Sequence, residues 1–206
     1  LTRLCSKSES QEKIGQMELL SPQDLTTIQQ WNAEPLRFVD RCIHDMIQDN
    51  AWLQPEAQAV YSWDATFTYN QLDQLSTSLA HCLARLGVGS SPDTFVPICF
   101  EKSASTIVGM LGILKAGAAF VPIDPQNPVS RLKEIVTDLD AELVLCSPRY
   151  ETICRSILSR VLVVDVQMLK RLPVQLSPTP SCATNSAAYA IFTSGTSGKP
   201  KGTISM

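Results

Sequence analysis

From Phe95 to Val164 the chain repeats one pattern, a short uninterrupted apolar run followed by a segment of helical periodicity, and this repetition narrows the fold more than any other feature. The apolar runs are Phe95–Phe100, Ala118–Ile123, Glu142–Cys146 and Val161–Val164. Between them lie Ser103–Ala116, with Ile107, Met110, Leu111 and Leu114 on one face, a segment opened by Asn127-Pro128 that carries Leu132, Ile135, Val136 and Leu139, and Tyr150–Leu158. A strand with one wet face alternates polar and apolar residues; these runs do not, so both of their faces must be covered. Strands separated by helices join as parallel neighbours through crossovers that are right-handed by default. The expected fold class is therefore α/β, alternating strands and helices in a mainly parallel layered sheet.

Local signals extend this reading in both directions. Ser21-Pro-Gln-Asp24 offers an N-cap, a proline at the first helical position and an acid at the third, followed by Leu25, Ile28 and Trp31. A second helix is predicted over Arg41–Asn50, with Ile43, Met46 and Ile47 on a shared face and His44 at the surface or boundary. Ala57–Trp63 and Thr66–Tyr69 flank Asp64-Ala65 and predict a hairpin, although alanine is a poor residue where a tight primed turn takes glycine. Thr68-Tyr-Asn-Gln71 is a second capping box, and Leu72, Leu75, Leu79, Cys82, Leu83 and Leu86 keep helical spacing until Gly87 closes the helix. Residues 1–20 read as a linker or disordered arm, and 172–186, with Pro173, Pro178 and Pro180, as a loop before a last strand at Ala187–Phe192.

Composition excludes some function classes. A net charge of −3 with no basic cluster does not suit nucleic acid, and apolar stretches broken within a dozen residues do not suit a membrane. Seven cysteines, an odd number without a C-x-x-C pair, read as small buried hydrophobes in a reducing, cytoplasmic setting. His44 and His81 are the chain's two histidines and neither has a familiar metal-ligand spacing, so no metal site is expected. His81 and Cys82 are adjacent on a helix and point to different sides, which argues against a Cys/His catalytic pair.

The last strand delivers Thr193-Ser-Gly-Thr-Ser-Gly-Lys-Pro-Lys-Gly202 at its carboxyl end, where ligands collect in open α/β sheets. Gly195, Gly198 and Gly202 let backbone N–H groups approach an anion; the hydroxyls of Thr193, Ser194, Thr196 and Ser197 can donate to it; Lys199 and Lys201 bring charge. The stretch reads as a phosphate-holding loop, with a flexible Gly/Ser tail as the alternative, but not as a Walker loop, since Pro200 follows Gly198-Lys199 and Thr193 stands where the first glycine belongs. The glycine intervals also miss the dinucleotide fingerprint.

The segment resembles, without a gap from Thr193 to Gly202, the third signature of the adenylate-forming superfamily. Leu114-Lys-Ala-Gly-Ala-Ala-Phe-Val-Pro-Ile-Asp-Pro125 resembles the second signature of nonribosomal peptide synthetase adenylation domains, with Phe120 where Tyr is common and Asn127 where an aromatic is frequent. Phe67-Thr-Tyr-Asn-Gln-Leu72 resembles the first, with Gln71 in place of Glu. Leu20–Leu25 followed by Trp31-Asn32 is similar to the linker from an upstream condensation domain.

The resemblance implies that 21–206 is the N-terminal part of an adenylation (AMP-binding) domain, one that uses ATP and Mg²⁺ to activate an amino-acid or other carboxylate and hands it to a carrier-protein phosphopantetheine thiol. It places the phosphates on Thr193–Ser197 and the developing charge on Lys201, with Lys199 at a variable position. The first two signatures it leaves to packing, and it names no catalytic residue in this stretch. The chain opens without Met and stops shortly after the loop, so it reads as a fragment that lacks the adenine, ribose and substrate walls and is inactive alone. An acyl-CoA or aryl-acid ligase, or a non-catalytic remnant serving as an interaction module, are the alternatives.

Overall fold

The computed structural model describes residues 20–33, 39–91, 94–174, 184–193 and 201–205. It divides into two units with a boundary between Val39 and Asp40. Among the described residues, the first unit contributes helix α1 (Pro22–Trp31). Its capping box is formed as the sequence predicts: Asp24 N–H donates to Ser21 Oγ at 3.0 Å and Ser21 N–H returns to Asp24 Oδ2 at 2.9 Å.

The second unit follows the order α2 (Ile43–Leu53), β1 (Gln58–Tyr61), β2 (Thr66–Thr68), α3 (Tyr69–Arg85), β3 (Phe95–Cys99), α4 (Ala104–Lys115), β4 (Ala119–Pro122), α5 (Val129–Asp138), β5 (Val144–Cys146), α6 (Glu151–Ile157), β6 (Val161–Val163), α7 (Val166–Arg171), β7 (Tyr189–Thr193) and β8 (Lys201–Ser205). A 3₁₀ turn, Pro148–Tyr150, leads into α6. The six-stranded sheet has the order β6-β5-β3-β4-β7-β8, parallel except for the β7–β8 pair. The chain leaves β3 toward β4 on one side and then returns to β5 on the other. Right-handed crossovers in opposite directions place their helices on opposite faces.

Two buried clusters show that coverage. Leu79 and Leu83 of α3 and Val108 and Leu111 of α4 pack with Val96, Ile98 and Leu145; on the other side Leu132 and Ile135 of α5 and Cys154 of α6 pack with Cys99, Val144 and Cys146. Successive residues on a strand, such as Ile98 and Cys99 or Leu145 and Cys146, belong to opposite clusters, as period-two side chains require.

The segment ends obey local chemistry. Gly117 takes φ +81° where α4 ends, a conformation costly for any residue with a Cβ. Gly89 takes φ +78°, and a Cβ there would lie 1.8 Å from the Ala116 carbonyl oxygen, so the turn after α3 closes against the end of α4 only with glycine. The Thr68–Gln71 capping box forms at the start of α3.

Several expectations change. Helix α2 buries His44 and Ala51 and packs the half-buried Ile47 against the core, at positions i, i+7 and i+3, while Ile43 and Met46 face solvent. Helix α4 is buried nearly all round, with Ile107 left exposed. The β1–β2 connection runs Ser62–Ala65, and neither Asp64 nor Ala65 has positive φ, which is why alanine is tolerated. Helix α7 and the antiparallel strand β8 appear where the sequence showed no element.

Candidate functional site

In a parallel sheet all carboxyl ends share one edge. Here Glu101 follows β3, Asp124 follows β4, Ser147 follows β5, Asp165 follows β6, and β7 ends at Thr193. The hairpin register pairs Thr193 with Lys201, Phe192 with Gly202 and Ile191 with Thr203. The two mouths of the hydroxyl- and glycine-rich loop are thereby held as cross-strand neighbours. Ser194, Gly195, Thr196, Ser197, Gly198 and Lys199 lie outside the described residues, and for Thr193 and Lys201 the structure describes the backbone alone.

Gly202 has a packing duty. A Cβ on it would meet the Phe192 ring at 3.3 Å, so the glycine lets that ring lie across the ladder toward the α5–α6 cluster. β7 also pairs in parallel with β4, through Phe120 opposite Tyr189, and the two rings stack at 5.7 Å. Leu114–Pro125 and Thr193–Gly202, remote in sequence, are joined by this strand pair. The turn after β4 is drawn in by Asp124, whose Oδ1 accepts from Gln126 N–H at 2.9 Å and whose carbonyl accepts from Asn127.

A cavity of about 470 Å³ opens on the same edge where strand order reverses, lined among others by Trp63, Asp64, Glu101, Ser103, Ser147 and Asp165. Its polar groups hold one another. Ser147 Oγ donates to Glu101 Oε2 at 2.5 Å, and Asp165 caps α7 by accepting from Met168 N–H. Asp64, from the hairpin connection, accepts from the N–H groups of Ala104 and Ser105 and so caps α4 from forty residues away. Burial raises its pKa, but the donors at Ala104, Ser62 and Ser105 prevail and hold it below the ordinary 3.8. Trp63 Nε1 donates to the Lys102 carbonyl at 2.9 Å and pins the same connection.

Other reactive side chains are accounted for structurally. Cys99 and Cys146 are register partners on β3 and β5, and both lie against Cys154. The hydrogen bond from Cys146 lowers the Cys154 pKa, yet the hydrogen bond with Cys99 and burial bring it up to about 12; Cys146 is raised further, by its bond with Cys154 and by burial. Thiols so held are not nucleophiles at neutral pH. Lys115, inside the Leu-Lys-Ala-Gly stretch, is buried and donates to Asp73 Oδ1 at 2.6 Å, the Asp73 carbonyl at 3.1 Å and Thr77 Oγ1 at 2.9 Å. Burial lowers its pKa and the Asp73 carboxylate opposes that. His44, expected at the surface or boundary, is buried, and desolvation lowers it below 6.5. Among the described residues no helix is long and apolar enough to cross a membrane.

Residues 47–205 match the family of AMP-binding enzymes. The chain belongs to that family. It is 45% identical over 197 residues to nonribosomal peptide synthetase 4 of Gibberella zeae, covering 96% of this chain and 3% of that protein. It is 42% identical over 192 residues to N-benzoylphenylalaninol synthetase apmA of Penicillium brevicompactum, covering 93% and 8% respectively. The solved structure of the nonribosomal peptide synthetase FmoA3 in its alpha-methyl-L-serine-AMP bound form superposes with a TM-score of 0.71 at 25% identity, covering 91% of this chain and 20% of that one. The chain thus spans a small part of the relatives it matches. Family and fold agree with the sequence resemblance, and the mainly parallel sheet is the one that the apolar runs call for.

Proposed function

We propose that this chain supplies the phosphate-holding edge of an ATP-dependent adenylation domain that activates an amino-acid carboxylate as acyl-AMP for peptide assembly. The observation that carries it is the β7–β8 register: Thr193 opposite Lys201 fixes both ends of a stretch matching the superfamily's third signature, at the carboxyl end of β7. A relative at 45% identity that is a nonribosomal peptide synthetase by name supports the amino-acid substrate, with carrier and condensation domains as partners.

A backbone clamped at both ends fits a polyphosphate. The sequence from Thr193 to Ser197 offers N–H and hydroxyl donors between the two clamped ends, and Lys201 is the first residue of β8. ATP would supply the electrophilic phosphorus, with Mg²⁺ as companion ion. In the reaction a carboxylate oxygen bonds to the α-phosphorus while the bond to the pyrophosphate oxygen breaks. Negative charge then accumulates on pyrophosphate, where Lys201 and the loop donors lower its energy. Loss of one such donor costs on the order of 3 kcal/mol in the transition state.

Equilibrium dialysis of radiolabelled ATP against the chain tests the reading. Saturable binding, competed by pyrophosphate and weakened about tenfold or more by Lys201→Ala, is the expected result. Equal affinity in wild type and Lys201→Ala, or competition by adenosine but not by pyrophosphate, would overturn it.

A further inference from the structure

The first turn of α2 gathers three groups that adenylation chemistry does not use. Cys42 is the N-cap and makes no side-chain capping bond; His44 and Asp45 follow within the turn. One donor atom from each, the Cys42 sulfur, an imidazole nitrogen and a carboxylate oxygen, lie within 4.8 Å of one another. His44 Nε2 is 3.6 Å from Asp45 Oδ1. Around a tetrahedral zinc ion with bonds of about 2.0–2.3 Å, neighbouring ligand atoms are about 3.4–3.8 Å apart. The His44–Asp45 pair already has that spacing, and the remaining separations close with a shift of about 1 Å, within reach of side-chain rotation.

We infer that Cys42, His44 and Asp45 form a three-ligand site for one borderline divalent cation of the zinc type, with a fourth position open to solvent. The donor set argues for that class: magnesium and calcium take oxygen ligands, whereas sulfur, nitrogen and carboxylate together suit zinc. The His44 side chain is 9% exposed and supplies a fixed wall, while Asp45, 47% exposed, leaves a path for the ion and for water. Thiolate and carboxylate bring two negative charges, enough to offset the partial positive charge at the helix N-terminus. Lys115, the cation that acts on His44, has its own counterion in Asp73 at 2.6 Å. The sequence alone raises no metal expectation because neither His44 nor His81 has a familiar metal-ligand spacing. The turn from an extended N-cap into the first helical residues folds Cys42, His44 and Asp45 onto one point.

The test is titration of the 206-residue chain with Co²⁺ alone, read by absorption, followed by Zn²⁺ displacement. The expected result is one equivalent bound, with a sulfur-to-cobalt charge-transfer band and intense four-coordinate d–d absorption, both removed by Zn²⁺. Cys42→Ser removes the charge-transfer band, and Asp45→Asn weakens binding more than about tenfold. Both variants are partly exposed changes that keep a polar group at the turn, and far-ultraviolet circular dichroism confirms that they fold. A charge-transfer band that survives Cys42→Ser places the sulfur elsewhere and overturns the assignment, as does the lack of saturable binding by a folded chain. ATP affinity unchanged by Cys42→Ser separates this site from the phosphate loop.

Discussion

At the β6-β5-β3-β4 side of the sheet every neighbour is parallel, every strand is reached through a helix, and the central strands β3 and β5 are buried on both faces; at the β7–β8 side the pairing is antiparallel and local, and β8 is largely exposed. Leu145 on β5 is 0% exposed, whereas Ile191 on β7 is 48% exposed although the next residue toward the N-terminus, Ala190, is buried. The first side is a scaffold whose strands cannot move without disturbing two layers of helices. The second is a hairpin, and its two strands bracket the hydroxyl- and glycine-rich stretch proposed to hold phosphate. Positioning and contact are divided between them: the scaffold fixes β4, β4 fixes β7, and β7 with β8 fixes the loop mouth.

The largest test of that division compares one apolar truncation on each side. Leu145→Ala should cost about 3–4 kcal/mol, because a buried cavity adds to the lost transfer energy. Ile191→Thr should stay within about 0.5 kcal/mol. Urea midpoints measure both, and similar costs would mean that the hairpin is as deeply packed as the scaffold.

Next is the buried pair beneath the second signature. Asp73→Asn leaves the Lys115 ammonium without its counterion, and a cost of about 3 kcal/mol is expected, since an uncompensated buried charge is worse than no charge. The double variant Asp73→Asn with Lys115→Met should recover most of it. Thermal unfolding of the single and double variants reads this, and no recovery would show that the lysine stem rather than its charge matters.

The smallest effect concerns the clamp between the β1–β2 connection and α4. Asp64→Asn should cost about 1 kcal/mol, the size of a helix cap. Its folded pKa lies below 3.8, so the folded state binds fewer protons than the unfolded state there. The contribution is fully present above about 3.8 and is lost as pH falls through the folded value. Urea melts between neutral and acid pH should be flatter for Asp64→Asn than for wild type, and parallel profiles would remove Asp64 from the acid response.

Whatever depends on near neighbours was legible in the sequence. The capping boxes at Ser21 and Thr68 and the glycine stop at Gly117 involve groups a few residues apart, so composition and spacing suffice. Continuous apolar runs fixed the two-faced burial of β3–β6, and with it the parallel layered sheet. The motif from Thr193 to Gly202 gave the family, because its hydroxyls, glycines and lysines keep their intervals in any fold.

Strand order decided the rest. β8 reads as a polar tail until it is seen opposite β7, and the short helix α7 lacks enough turns for a periodic signal. Asp64 caps a helix forty residues on, Lys115 meets Asp73, and Cys99 meets Cys146 only because the sheet and its crossovers bring distant segments into register. On α2, the core chose His44, Ile47 and Ala51 over the more apolar Ile43 and Met46, since which stripe of a helix is buried depends on where its neighbours lie. Local spacing therefore determined most of the elements and the motif that marks the family, while tertiary structure determined what faces what, because contact energies between remote residues exist only after the chain has folded.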